Sequence, residues 1–142
     1  MDSKQITLTS FGYVYGIPPE TDLLISVKKF PNPPKSVRKN YDGTCGRLQA
    51  EFYTVTGFDA MYQDVLDQVM NAINEKPKLT IGIGCEKGIH RSVAIVERLS
   101  RDLINFGVQV VHRDLDKKSK IRKVKQDRVK RRDEKRNLTY DY

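Results

Sequence analysis

Hydrophobic positions along the chain fall into short strand-like runs separated by two helical stripes. Residues 5–10 place Ile6 and Leu8 in a strand pattern that leads into Ser10-Phe11-Gly12-Tyr13-Val14-Tyr15-Gly16. Two glycines among three aromatics there predict a compact loop. Asp22-Leu23-Leu24-Ile25-Ser26-Val27 predicts a second, largely buried strand. It must stop near Phe30, because Pro31-Asn32-Pro33-Pro34 lacks the donors that a strand ladder needs. Residues 35–55 are polar and irregular and predict no element, with Arg38, Asp42-Gly43 and Arg47 exposed enough to reach a ligand. Thr56-Gly57-Phe58-Asp59 resembles a capping box and opens a helix. Its stripe of Phe58, Met61, Val65, Leu66, Val69 and Ile73 has core spacing, and Pro77 closes it.

The second half centres on Leu79-Thr80-Ile81-Gly82-Ile83-Gly84-Cys85-Glu86-Lys87-Gly88-Ile89-His90-Arg91-Ser92. This reads as a buried strand, a short loop and a helix start. Gly82 and Gly84 let another backbone or a ligand approach the strand closely. The helix that follows carries Val96, Leu99, Leu103 and Phe106 on one stripe, and Gly107 supplies a left-handed stop. A loop that leaves a strand and enters a helix aims N–H groups and the positive end of the helix dipole at one spot. Arg91 at that entry predicts a guanidinium forked onto a phosphate. Val108-Gln109-Val110-Val111 predicts a fourth strand, which runs into His112-Arg113-Asp114-Leu115.

Strands alternating with helices imply an α/β fold, a small mostly parallel sheet flanked by helices. Ligands of such sheets bind beyond the carboxyl ends of the strands. Residues 85–91 and 112–114 both follow strand ends, so they are expected to share one crevice. Candidate ligand-binding residues are Cys85, Lys87, Gly88, His90, Arg91, Ser92, His112 and Arg113. The chain divides into an α/β domain, 1–115, and a basic helical extension, 116–142.

Charge sharpens that division. Residues 1–115 carry 14 Lys and Arg against 13 Asp and Glu, whereas residues 116–136 carry 12 against 4. A near-neutral body with a basic appendage is the pattern of a polyanion binder, with nucleic acid the first candidate and a merely solvated tail the bland alternative. Asp116/Lys120 and Asp127/Arg131 have the acid-before-base spacing that supports a helix. Ile121, Val124 and Val129 are too few to form a core-facing stripe. The expected RNA contacts are Lys117, Lys118, Lys120, Arg122, Lys123, Lys125, Arg128, Lys130, Arg131 and Arg132. Met1-Asp2-Ser3-Lys4-Gln5 does not open a signal peptide, and no apolar run is long enough to cross a bilayer. A cytoplasmic protein with Cys45 and Cys85 reduced is expected. Two histidines and two cysteines do not fall at metal-ligand spacing.

Four motifs in order, Ser10-Phe11-Gly12…Tyr15-Gly16, Pro31-Asn32-Pro33, Leu79–Ile95 and His112-Arg113-Asp114-Leu115, resemble the C-terminal domain of the RNase adapter protein RapZ family. They span nearly the whole body. The resemblance implies a domain without catalysis or cofactor of its own, which binds small regulatory RNA and senses glucosamine-6-phosphate. It also implies a ribonuclease or other protein as partner. Full-length members carry a further N-terminal nucleotide-binding domain with a phosphate-cradling glycine loop. Where the family usually reads Cys-Thr-Gly-Gly, this chain has Cys85-Glu86-Lys87-Gly88 followed by Ile89. Its second strand has Ser26-Val27-Lys28 in place of Asp-Val-Arg, and the family's Thr-Gly-x-Asp pattern is not cleanly kept near Asp42-Gly43-Thr44-Cys45.

Cys85, five residues, Arg91 and Ser92 also match the phosphate loop of cysteine-dependent phosphatases. There a thiolate attacks phosphorus while the arginine holds the equatorial oxygens. That alternative needs a general acid, for which Asp114 and Asp42 are the candidates. A third reading is an adapter that recognises an acidic protein through the tail. The structural alternatives are equally concrete. Cys85 is then a small buried loop residue, His112 a strand-end cap, Arg113 and Asp114 an ion pair, and Tyr13 and Tyr15 packing residues and not RNA-stacking ones.

Overall fold

The computed structural model describes residues 4–115. Four strands, β1 (Gln5–Gly12), β2 (Leu23–Ser26), β3 (Lys78–Cys85) and β4 (Gln109–His112), form one sheet in the order β2-β3-β1-β4, with every pairing parallel. The mostly parallel α/β expectation holds for these residues. The basic extension lies outside them. The first strand runs two residues further than its pattern predicts, because Phe11 and Gly12 stay in register with Gly84 and Cys85. Helix α3 (Phe58–Glu75) links β2 to β3 and packs against β3. Helix α4 (Arg91–Asp102) links β3 to β4 and packs against β1, β3 and β4.

The core lies between these helices and one face of the sheet. Ile6 and Leu8 of β1, Ile81 and Ile83 of β3, and Ala94, Ile95, Val96 and Leu99 of α4 are all buried there. The periodicity of the chain carries this layer directly, since strand residues alternate between faces while helix residues recur every three or four.

Three local readings are corrected. The segment 35–55, where no element was expected, holds two short helices, α1 (Lys35–Arg38) and α2 (Gly46–Phe52). Their polar sequence hides Val37, Leu48 and Phe52, which are buried. The capping box does not form: Gly57 caps α3 in a left-handed conformation, and no side chain caps it. The central helix ends at Asp102 and tightens into a 3-10 turn at Ile104–Phe106 before the left-handed Gly107.

Aromatic side chains tie α2, α3 and α4 together. The Arg98 guanidinium lies 4.3 Å from the Tyr62 ring centre and 5.2 Å from those of Tyr53 and Phe58. Burial pushes the Tyr53 phenol up to about 12. Burial also raises Tyr62, helped by its donation to Asp102 Oδ2 at 2.5 Å. Both phenols therefore ionise more readily in the unfolded chain, near pH 10. Stability from this pair is full below pH 10 and declines as pH rises toward 12. Urea unfolding followed from pH 8 to 12 is expected to show this decline, and Tyr62→Phe to flatten it. An unchanged slope in Tyr62→Phe would exclude Tyr62 as a source.

Candidate functional site

The carboxyl ends of the parallel strands open onto a groove built around the β3–α4 loop. Phe11 in β1 packs on the glycines of β3 beside it. A Cβ on Gly84 would stand 2.4 Å from Phe11 Cζ and 2.6 Å from Tyr13 Cε2, so only glycine admits those rings over the strand. Gly12 is pressed equally close to the loop itself, since a Cβ there would meet the Lys87 carbonyl carbon at 2.3 Å. Gly88 answers from the other side with φ of 75° and its own Cβ position 2.5 Å from Gly12 N. Backbone thus packs on backbone where β1 and the loop meet.

Cys85 is buried at the end of β3. Its Sγ accepts the Gly88 N–H at 3.3 Å and donates to Ser92 Oγ at 3.1 Å. These bonds shape the loop by tying its start to its middle and to the first turn of α4. Arg91 spends Nη1 on the Lys28 carbonyl at 2.7 Å and the Phe30 carbonyl at 3.1 Å. The guanidinium expected to fork onto a phosphate therefore also clamps the segment after β2 to the start of α4.

That segment supplies a wall which the sequence reading left without structure. Pro34 caps α1, and Lys35, Arg38 and Lys39 of α1 and its cap line a 430 Å³ groove together with Cys85, Lys87, His90 and Arg91. Asn32 and Glu86 complete the rim, and Glu86 is the acid among the lining residues. Lys35, Lys39 and Asn32 were not among the expected site residues. The signal for them was present, because cations at positions 35, 38 and 39 directly after two prolines have the spacing of one helical face.

His112 and Arg113 are absent from that groove lining, which corrects the shared crevice. His112 Nδ1 lies 2.6 Å from Ser10 Oγ and its Nε2 3.3 Å from Glu97 Oε2, which binds the edge strand to β1 and α4. Arg113 reaches Gly16 O with Nη2 at 2.5 Å and pairs with Asp114. The Asp114 carboxylate is buried behind the loop, where Oδ2 accepts the Gly12 N–H at 2.7 Å and both oxygens accept from Arg113. The 112–114 cluster supports the loop from behind.

Both proposed general acids have structural partners of their own. Asp114 is held as described, and Asp42 Oδ1 accepts the Thr44 N–H at 2.8 Å in a turn before α2. Gly43, expected to be exposed, is buried against α4, with its N–H on the Ile89 carbonyl at 2.8 Å. Arg47 stays exposed, 6.0 Å from the centre of the Tyr41 ring. Tyr13 packs edge-on to Phe11 with ring centres 4.9 Å apart, while Tyr15 is exposed. The tail cations from Lys117 to Arg132 lie outside the described residues. Among the described residues no three His, Cys, Asp or Glu side chains gather as metal ligands, and no helix is long and apolar enough to cross a membrane.

The four sequence motifs therefore meet at one place: Gly12 on Lys87 and Gly88, Asn32 lining the groove beside Cys85 and Arg91, and Asp114 on Gly12. The family profile of the RapZ C-terminal domain matches residues 4–116. This chain belongs to that family. Among curated relatives it is 40% identical over 120 residues to a nucleotide-binding protein of Geobacter metallireducens, covering 79% of this chain and 42% of that one. A nucleotide-binding protein of Pediococcus pentosaceus is 37% identical over 120 residues, covering 80% of this chain and 41% of that one. One of Synechococcus is 34% identical over 128 residues, with 78% and 39% covered. The chain spans about two-fifths of the length of these relatives. Within the RapZ C-terminal domain architecture, the groove-lining pair Glu86-Lys87 is exposed at the rim while Gly88 and Ile89 beneath it are buried.

A 310 Å³ hollow also lies at the amino ends of the strands, lined by Lys4, Thr7, Lys78 and Gln109 among others. It has neither the loop nor a helix start. The carboxyl-end groove is the better ligand site by the topology of parallel sheets.

Proposed function

We propose that this domain is a non-catalytic RNA-binding adapter module that senses a phosphorylated metabolite, with an amino-sugar phosphate the first candidate. The observation that carries the reading is the groove over the β3–α4 loop, where Lys35, Arg38, Lys39, Lys87 and Arg91 converge on one cavity with His90 beside them. A concave site with that many cations concentrates potential on a dianionic phosphate. The start of α4 adds to it through the positive end of the helix dipole, since His90 and Arg91 at that end line the groove. RNA binding rests on the basic segment 116–136. Phosphate contacts from it make affinity fall steeply with salt.

Calorimetric titration with glucosamine-6-phosphate, beside aryl-phosphate hydrolysis, tests the reading on wild type, Arg91→Ala and Cys85→Ser. Arg91→Ala is expected to weaken binding toward the lower end of roughly 2–5 kcal/mol, the cost of truncating one partner of a buried charged contact, because Arg91 is only half-buried. Part of that loss comes from the wall that Nη1 holds at Lys28 and Phe30. Cys85→Ser is expected to stay within about 1 kcal/mol, the scale of one neutral hydrogen bond. Hydrolysis that disappears in Cys85→Ser would replace this reading with the phosphatase one. A parallel RNA titration is expected to lose most of its affinity and salt slope when residues 117–142 are removed.

A further inference from the structure

A second cavity of 550 Å³ adjoins the basic groove, lined by Tyr13, Val14, Lys28, Asn32, Glu86 and Arg91. It shares Asn32, Glu86 and Arg91 with the first. The two are lobes of one site, divided at the Arg91 side chain that also clamps the Lys28 and Phe30 carbonyls. Each lobe alone falls in the size range of a small-molecule site.

The chemistry of the second lobe differs from that of the first. Tyr13 is a fixed ring, set edge-on to Phe11 and over Gly84, where any side chain would collide with it. Lys28 Nζ stands 4.4 Å from the centre of that ring, on an exposed and flexible side chain. Val14 is 60% exposed and lends the cavity an aliphatic flank. Asn32, fixed between Pro31 and Pro33, offers both a donor and an acceptor. Glu86 offers a carboxylate acceptor at the boundary between the lobes. A flat ring, an apolar flank, an amide and a carboxylate are the parts with which proteins hold an unpaired base and its ribose.

We infer that this two-lobed groove binds a nucleoside 5′-phosphate unit, its phosphate in the basic lobe and its base against Tyr13 and Val14. The inference rests on the phosphate reading of the basic lobe and adds the second lobe to it. The base takes the place of the Lys28 ammonium over the ring. Asn32 meets the base edge, and Glu86 accepts from ribose hydroxyls or an exocyclic amine. Such a unit occurs as a free nucleotide or as an unpaired nucleotide of RNA, and both have the same chemistry at this site.

The test titrates the full 142-residue chain with inorganic phosphate and with adenosine 5′-monophosphate. The nucleotide is expected to bind at least about tenfold tighter than phosphate. Tyr13→Ala is expected to remove about 5- to 150-fold of that affinity, the range for stacking on one aromatic side chain, and to leave phosphate affinity in place. Tyr13→Phe is expected to keep nucleotide binding. Equal affinity for the two ligands in wild type would overturn the inference while the basic lobe stands. Failure to bind either would remove the phosphate reading and this inference together. Should Tyr13→Ala also lose phosphate, as an unfolded variant would, photolabelling of wild type with 8-azidoadenosine 5′-monophosphate decides. Label on the peptides around 13–14 or 28–32 supports the site, and label confined elsewhere overturns it. Displacement of the label by a single-stranded 5′-phosphorylated oligonucleotide identifies RNA as the source. Displacement by the mononucleotide alone identifies a free nucleotide.

Discussion

Replacing Asp114 with alanine is expected to lower the unfolding free energy by about 3–5 kcal/mol, the cost of removing one partner from a buried ion pair. The Asp114 side chain is fully buried, whereas Arg113 keeps a quarter of its side-chain surface in water, which places the loss at the lower end. Two things are left behind. Arg113 loses its partner, and the Gly12 N–H loses its acceptor inside the fold. Thermal unfolding followed by circular dichroism is expected to drop by roughly 10–20 °C for a domain of this size. Asp114→Asn keeps an oxygen for Gly12 and is expected to lose less. A melting temperature within about 3 °C of wild type in Asp114→Ala would show that the loop is not held from behind by this carboxylate.

The second large effect is expected from Gly88→Ala. Its φ of 75° is costly for any residue with a Cβ, by about 1–2 kcal/mol. The new Cβ would also sit 2.5 Å from Gly12 N and 2.7 Å from the Phe11 carbonyl carbon. Neither neighbour is a flexible side-chain end, so the loop or the end of β1 must move, which adds about 1–3 kcal/mol. Gly107→Ala separates the two contributions, because Gly107 has φ of 62° but open space around its Cβ position. It is expected to cost only the conformational part. Urea unfolding of the two variants side by side measures the difference. Similar losses in both would mean that the close approach of β1 to the loop carries no energy. Gly88→Ala is also expected to weaken phosphate binding, since Lys87 and His90 are carried by the displaced loop.

Much of this architecture was legible because burial leaves a local trace. The runs at Ile6–Leu8, Leu23–Val27, Leu79–Ile83 and Val108–Val111 each lie in or beside a strand, and the stripe from Phe58 to Ile73 is one face of α3. Alternation of strands and helices was enough for a parallel sheet. The order of four motifs was enough for the family. The short helices α1 and α2 escaped because each buries only one to three side chains, too few to make a period. The cap of α3 escaped because a left-handed glycine replaced the side-chain bond that the capping pattern suggested.

The site was only half legible, and the division has a physical cause. A strand, a loop with glycine and a helix start are neighbours in sequence, so the anion-binding loop at 85–92 declared itself by local geometry alone. What surrounds that loop is set by contacts between residues far apart in the chain. Arg91 meets the carbonyls of Lys28 and Phe30 across more than sixty positions, and Asp114 meets Gly12 across 102. The sheet order places β1 between β3 and β4, which brings Gly12 against the loop and turns His112 and Arg113 to its rear. It also places Lys35, Arg38 and Lys39 along the groove in front of the loop. By itself the sequence determined the four strands, the two long helices, the family and the loop. Which cations face the ligand and which side chains brace the loop was decided by tertiary structure, because glycine-mediated backbone contact and strand order have no local signature.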